Sequence, residues 1–314
     1  MAGDPRPRLA LIAGPTASGK SALALALAEQ LEQRGGATII NADSAQVYRD
    51  LRILTARPSA QEEAEVPHRL FGHVDAADTG YSAARWAAEA RAAIEKASVN
   101  GRMSILVGGT GLYLRTLLDG IAPVPPIDPA VRMEVRALRV DAAHAELARL
   151  DPPAAARLHP NDTARIARAL EVVRSTGRPL AAWQAAPTGG IGDAVALSAV
   201  VLLPDREESY AAIDRRAEAM MTAGAGQEVA ALLARDDIPA EAPVRRAIGV
   251  STIEAWLAGD FDRVTATARL ALDTRRYAKR QYTWLRHQPP AVWRRLNDYS
   301  SSLANNAIKL LLQG

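Results

Sequence analysis

The chain of 314 residues is 48% hydrophobic and 23% charged, the profile of a folded protein with a real core and room for two domains. It has no cysteine, which excludes disulfides, a thiol nucleophile, thiolate zinc sites and iron–sulfur clusters, and suits a reducing cytoplasm. The net charge of +3 hides an uneven distribution: from Arg263 to Arg295, nine Arg or Lys stand against the single acid Asp273, a surplus of +8 that suggests a polyanionic partner.

In chain order, Leu9–Ala13 reads as a buried strand ending at Gly14. Ser21–Leu31, rich in Ala and Leu, reads as a helix stopped by Gly35-Gly36. Ala37–Ala42, with β-branched Thr38, Ile39 and Ile40, is a second strand. Tyr81–Ala97 is a helix capped by Ser82, and Ser104–Val107 a third strand running into Gly108-Gly109. Strand, helix, strand, helix, strand predicts an α/β fold, a parallel sheet flanked by helices. Pro123, Pro125, Pro126 and Pro129 then mark a junction. From Val131 to Trp183 the periodicity is helical, broken at Pro152-Pro153 and Pro160, and Ala194–Leu203 returns as a strand. Residues 121–193 therefore read as a helical insertion domain in a core made of 1–120 and 194–314. Glu207–Trp284 is helical and basic, and the tail from Asn297 shows little periodicity beyond a weak apolar patch at Ile308–Leu312. The longest apolar run, Ala194–Leu203, falls short of the roughly 18–20 residues that span a bilayer. The first residues carry no signal-peptide core, so the chain reads as unprocessed and without a membrane partner.

The strongest chemical signal is Gly14-Pro15-Thr16-Ala17-Ser18-Gly19-Lys20-Ser21, a P-loop between a strand and a helix. Glycines let successive N–H groups face one anion, the helix dipole adds to them, Lys20 supplies a charge for phosphates, and the Ser21 hydroxyl can ligate Mg2+. A nucleotide hydrolase would place an acid at the end of a later strand to hold magnesium. Here that strand runs into Gly108-Gly109-Thr110, which alone would also serve as a tight turn. Asn41-Ala42-Asp43-Ser44 ends the second strand, where ligands of open α/β sheets bind. Asp43 there reads as a general base, a turn cap, or a magnesium ligand through water. In the C-terminal segment Arg276, Lys279, Arg280 and Thr283 share one helix face. Such a face either meets solvent or tracks a phosphate backbone, with Gln281 beside it able to reach a base edge. The five histidines show no metal-ligand spacing.

Seven ordered blocks resemble the tRNA dimethylallyltransferases, also called tRNA isopentenylpyrophosphate transferases, of the bacterial type. They are the P-loop; Asp43-Ser44-Ala45-Gln46-Val47-Tyr48; Thr55-Ala56-Arg57-Pro58 with Pro67-His68; Tyr81-Ser82; Val107-Gly108-Gly109-Thr110-Gly111-Leu112-Tyr113; His159-Pro160-Asn161-Asp162 with Arg165 and Arg168–Val172; and Thr274–Gln281 with Thr283–Arg286. The resemblance implies a P-loop NTPase-like core that moves a dimethylallyl group from its diphosphate to the exocyclic amine of the adenine 3′ of the anticodon. The tRNAs concerned read codons beginning with U. It implies Asp43 as base, Thr110 at the reaction centre, Lys20 and Arg216 on the diphosphate with the whole P-loop, and Mg2+ at Ser21. It further implies tRNA contacts at Asp43, Ser44, Ala45, Gln46 and Thr110. In the insertion it implies them at Arg132, Ala164, Arg165, Ile166, Ala167 and Arg168, and beyond it at Arg246, Gly249, Lys279, Arg280, Gln281 and Arg286. A cytoplasmic monomer is implied as well. Two departures from the family pattern stand out: Leu54, in Arg52-Ile53-Leu54, where a glycine is frequent, and Val250, where a tyrosine is frequent. The alternative on the same P-loop is a small-molecule or nucleotide kinase, which leaves the basic C-terminal block unexplained.

Overall fold

The computed structural model describes residues 5–297 and 301–313. Among them the sheet has six strands: β1 (Arg8–Ala13), β2 (Ala37–Asn41), β3 (His68–Arg69), β4 (Met103–Gly108), β5 (Ala196–Leu202) and β6 (Arg294–Leu296). Their order is β3-β2-β4-β1-β5-β6, and every neighbouring pair is parallel. The central strands β1, β2 and β4 are buried almost throughout, which is why they read as continuous apolar runs rather than alternating ones.

The helices are α1 (Lys20–Leu31), α2 (Ala60–Glu65), α3 (Ala83–Val99), α4 (Gly111–Leu118), α5 (Pro129–Ala137), α6 (Val140–Leu150), α7 (Pro152–Arg157), α8 (Thr163–Thr176), α9 (Leu180–Gln184), α10 (Arg206–Ala223), α11 (Ala225–Leu233), α12 (Val250–Leu257), α13 (Arg263–His287) and α14 (Ser301–Gln313). Ser82 caps α3 by accepting the Arg85 N–H, as the sequence predicts. Leu23, Leu27 and Leu31 of α1 pack with Ile12, Ile39, Ile105 and Val200 into one core.

The chain divides into two compact units, Met1–Leu117 with Ile191–Gly314, and Leu118–Gly190; the sequence reading puts these limits at 121 and 193. The insertion starts and ends a few residues earlier because its base is closed by a bridge in which Ile121 and Thr188 exchange two backbone hydrogen bonds of 3.0 Å. It has a core of its own, with Val135, Leu147, Ile166 and Leu170 at its centre.

Three features differ from the sequence reading. Pro152-Pro153 open a helix, α7, because proline is preformed for a first turn and Asp151 accepts the Ala154 N–H. Strands β3 and β6 are too short to leave a periodic signal. The tail carries α14, whose Ala307, Ile308 and Leu311 are buried on the sheet core; the weak apolar patch is one side of a helix. The early tail residues 298–300 lie outside the described residues, as do residues 1–4, on which part of the reading of the N-terminus rests. Among the described residues, no helix is long and apolar enough to cross a membrane.

Candidate active site

The C-terminal ends of β1, β2 and β4 converge because two glycines allow it. A Cβ on Gly108 would stand 2.1 Å from the Ala42 oxygen, and one on Gly109 would stand 2.5 Å from the Gly14 oxygen. Backbone bonds tie the three ends: Gly14 N–H to Gly108 O at 3.2 Å, Ala42 N–H to Val107 O at 2.7 Å, and Thr110 N–H to Ala42 O at 3.2 Å. The P-loop, Asp43 and the Gly-Gly-Thr turn are thereby brought together.

The P-loop backbone is left-handed at Ala17 (φ 58°) and Gly19 (φ 70°), and no side chain caps α1, so its first-turn donors are left for an anion. Thr16, Ala17, Ser18, Gly19, Lys20 and Ser21 line a cavity of about 250 Å³. Gly14 and Pro15 shape the loop from behind: a Cβ on Gly14 would meet Ser18 Oγ at 2.3 Å, and Pro15 O accepts from Lys20 Nζ at 3.1 Å. The Ser18 hydroxyl is buried without a hydrogen-bond partner.

Asp43 and Arg216 line this cavity and also a larger one of about 400 Å³. The larger cavity is bounded by Tyr48, Tyr81, Tyr113 and Tyr277 and by Leu54, Ile213, Met220, Ile248 and Leu270. A cationic compartment thus opens into an aromatic and apolar one, with Asp43 at the junction. Burial pulls the Lys20 ammonium down to about 8; Asp43 raises it and the Arg216 charge lowers it further. Burial also lowers Arg216, and among the described ion pairs none involves either cation. Two partly buried cations against one carboxylate make the junction anion-seeking.

Asp43 Oδ1 accepts the Ala45 N–H at 3.0 Å, a turn that fixes its carboxylate. Ser44 and Tyr277 form the wall beside it, and Thr110 stands behind them. Thr110 Oγ1 accepts the Ser44 N–H at 3.0 Å, donates to Ser44 Oγ at 3.3 Å, and is hydrogen-bonded to the Tyr277 phenol. Thr110 thus holds Ser44 and Tyr277 in the wall beside Asp43. Tyr277 and Tyr113 are pushed up from the usual phenol range, first by burial and then by nearby charge such as Asp43, so both stay neutral.

Gln281 corrects the sequence reading most. Its side chain is buried; Oε1 accepts the Thr16 N–H at 2.8 Å and Nε2 donates to Gly109 O at 3.0 Å. It straps α13 to the P-loop and to the β4 turn, and cannot read a base. Gln46 lines the smaller cavity, and its Nε2 donates to Thr55 O and Ala56 O, both at 2.9 Å. Gly249 is buried at φ 94° and caps α12, so it too shapes the fold rather than meeting a ligand with a side chain. Arg246 is exposed at the rim of the larger cavity, and Arg276, Lys279, Arg280, Thr283 and Arg286 are exposed on α13.

In the insertion, Ile166 is fully buried in the core, so its side chain is unavailable for contact. Ala164, Arg165 and Arg168 are exposed and Ala167 partly so; Arg165 pairs with Asp162 at 3.1 Å. Burial lowers the Arg168 guanidinium, Glu171 raises it, and the charges of Arg132 and Arg136 lower it. The three arginines thus form one basic patch, of which Arg136 carries no motif and was not foreseen.

Comparison with known proteins places the chain in context. The IPP transferase family profile matches residues 46–288, and the Zeta toxin profile matches residues 1–69, the strand and P-loop portion. A protein named tRNA dimethylallyltransferase from Erythrobacter litoralis is 58% identical over 95% of this chain and 94% of its own. One from Sphingopyxis alaskensis is 59% identical over 96% and 98%. Among solved structures, the tRNA isopentenylpyrophosphate transferase of Bacillus halodurans superposes with a TM-score of 0.68 at 31% identity, covering 98% of both chains. A eukaryotic dimethylallyltransferase described as acting on tRNA gives 0.75 at 29% identity, over 88% of this chain and 69% of that one.

Two predictions follow from the geometry. Gln281→Ala leaves the buried Gly109 carbonyl unpaired and should cost about 1–3 kcal/mol. Thermal melting will show the loss, while the salt dependence of RNA binding stays as in the parent. For Lys20, the folded chain binds fewer protons than the unfolded one between pH 8 and 10.5. Its burial therefore costs stability below pH 8, and that penalty is relieved as pH rises through this window. A bound diphosphate restores the charge, so the Kd for inorganic diphosphate should rise about tenfold per pH unit above 8, with proton uptake. Calorimetry in buffers of different ionisation heat measures both, and Lys20→Arg should flatten the profile.

Proposed function

Because the chain belongs to the IPP transferase family, the tRNA dimethylallyltransferases, we propose that it transfers a dimethylallyl group from dimethylallyl diphosphate to the exocyclic amine of the adenine 3′ of the tRNA anticodon. The tRNAs would be those reading codons that begin with U. The observation that carries this reading is the pair of joined compartments, one cationic and one apolar-aromatic, with Asp43 where they meet. A diphosphate donor with a short hydrocarbon tail matches that division.

The allylic carbon–oxygen bond breaks as the carbon–nitrogen bond forms, and diphosphate leaves with the electron pair. Negative charge grows on the departing oxygen, where Lys20, Arg216 and the P-loop N–H groups can stabilise it. The adenine amine is a weak nucleophile, because its lone pair is delocalised into the ring. Asp43, positioned by the Ala45 N–H, accepts its proton as the new bond forms. The adenine must leave the anticodon-loop stack to reach Asp43, and the tyrosine walls offer it surfaces to stack on.

Among the described residues no cluster of three His, Asp or Glu could hold a metal by itself. The Ser21 hydroxyl on the P-loop cavity suits Mg2+, which is commonly bound through one or two protein oxygens, water and substrate phosphates. There it would supply charge neutralisation of the leaving group. The exposed α13 face and the Arg132–Arg136–Arg168 patch suit contacts to phosphate backbone. We place the enzyme in the cytoplasm as a monomer, in keeping with a cysteine-free chain acting on tRNA.

Asp43→Asn keeps the shape and the acceptor for Ala45 but cannot take a proton. It should fold, bind donor and tRNA, and lose about 100- to 10,000-fold in transfer; turnover near the parent rate contradicts the base assignment. Lys279→Ala with Arg280→Ala should weaken tRNA binding far more than donor binding. The slope of log affinity against log salt should become shallower by roughly 0.7–0.9 per lost phosphate contact. Filter binding across a salt series measures it, with a melting curve to establish that α13 still packs.

A further inference from the structure

The segment 52–57 contributes Leu54, Thr55 and Ala56 to the larger cavity and Thr55, Ala56 and Arg57 to the smaller. It is held from two sides. On one side Glu228 of α11 captures three successive backbone donors: Oε1 accepts from Arg52 N–H at 2.6 Å and Ile53 N–H at 2.8 Å, and Oε2 from Leu54 N–H at 2.9 Å. On the other, Gln46 donates to the carbonyls of Thr55 and Ala56. Ala56 sits at φ 52°, a left-handed conformation that a residue with a Cβ keeps only where its surroundings impose it. Such a segment is a fixed wall rather than a loop free to adapt.

Leu54 is the large apolar side chain this wall presents to the cavity, and it is almost fully buried. Its Cδ1 and that of Leu270 close around Gly249: a Cβ added to Gly249 would lie 2.9 Å from the first and 2.6 Å from the second. Two leucines that line the cavity thus both crowd the same glycine. We propose that Leu54 sets the length of prenyl chain the cavity accepts, as a stop that Glu228 and Gln46 hold in place. This rests on the reading of the donor as a prenyl diphosphate. It accounts for why a leucine at this position is pinned through its own N–H. A side chain that only filled space could move aside for a longer tail, whereas one on a fixed backbone cannot.

A single methylene in a hydrophobic pocket changes discrimination by roughly 10- to 200-fold. Leu54→Ala should therefore raise the ratio of kcat/KM for geranyl diphosphate over dimethylallyl diphosphate at least tenfold, with tRNA affinity unchanged. Glu228→Gln, which loses the carboxylate but keeps Leu54, should shift the ratio the same way by less and raise KM for dimethylallyl diphosphate. A correctly melting Leu54→Ala enzyme with the parent's ratio overturns the proposal. So does a Glu228→Gln enzyme that melts earlier but selects as before, which would make Glu228 merely structural. Should Leu54→Ala fail to fold, Leu54→Val is measured in its place and read by the same ratio. If the parent itself does not use dimethylallyl diphosphate, the donor reading fails, and the stop is then judged by binding alone. Geranyl diphosphate should displace inorganic diphosphate better from the variant than from the parent, and equal displacement counts against it.

Discussion

A Cβ on Gly108 would stand 2.1 Å from the carbonyl oxygen of Ala42, so the tips of β4 and β2 can meet only where that carbon is missing. The organisation of the site depends on this contact. It lets Thr110 bond to Ala42 O and Gly14 bond to Gly108 O, and so sets the phosphate loop, the Asp43 turn and the Thr110–Ser44 wall side by side. Parallel strands bring their C-terminal ends to one edge in any such fold. Here the missing side chain brings three of them close enough to share one ligand. Gln281 then locks the arrangement from α13 through one bond to the P-loop and one to the turn after β4.

The electrostatics follow from that closeness. Lys20 and Arg216 both face the smaller cavity, each with protonation disfavoured by burial and neither in a described ion pair. A folded chain tolerates such an arrangement where an anion completes it. Tyr277 and Tyr113 remain neutral beside Asp43, so the junction keeps one carboxylate and a set of aromatic faces instead of accumulating negative charge. The division between cationic and apolar compartments is the physical basis of the proposal that the donor's leaving group is a diphosphate and its transferred group hydrocarbon.

Much of this was legible in the sequence where the cause is local. The P-loop is a run of eight residues whose glycines and lysine act through their immediate backbone, and Asp43 follows a strand that is itself a plain apolar run. What was not legible depends on partners far away in the chain. Gln281 lies beside an exposed basic face and reads as part of it. Yet Ala278, Gln281 and Leu285 fall at spacings of three and four on the buried stripe of α13, a signal that was available. Gln46, Glu228 and Arg136 are polar side chains whose meaning comes from a loop or helix distant in sequence, so no spacing announces them. Strands β3 and β6 are two and three residues long, below the length at which alternation can be read.

The central claim is that this P-loop holds the diphosphate of a prenyl donor and not the phosphates of a nucleotide that is consumed. The direct measurement supplies the purified chain with dimethylallyl diphosphate, ATP and unmodified tRNA together, and follows each. The account predicts one diphosphate released for each adenine prenylated, with ATP left intact and no reaction when the tRNA is omitted. Consumption of ATP with dimethylallyl diphosphate untouched would contradict it.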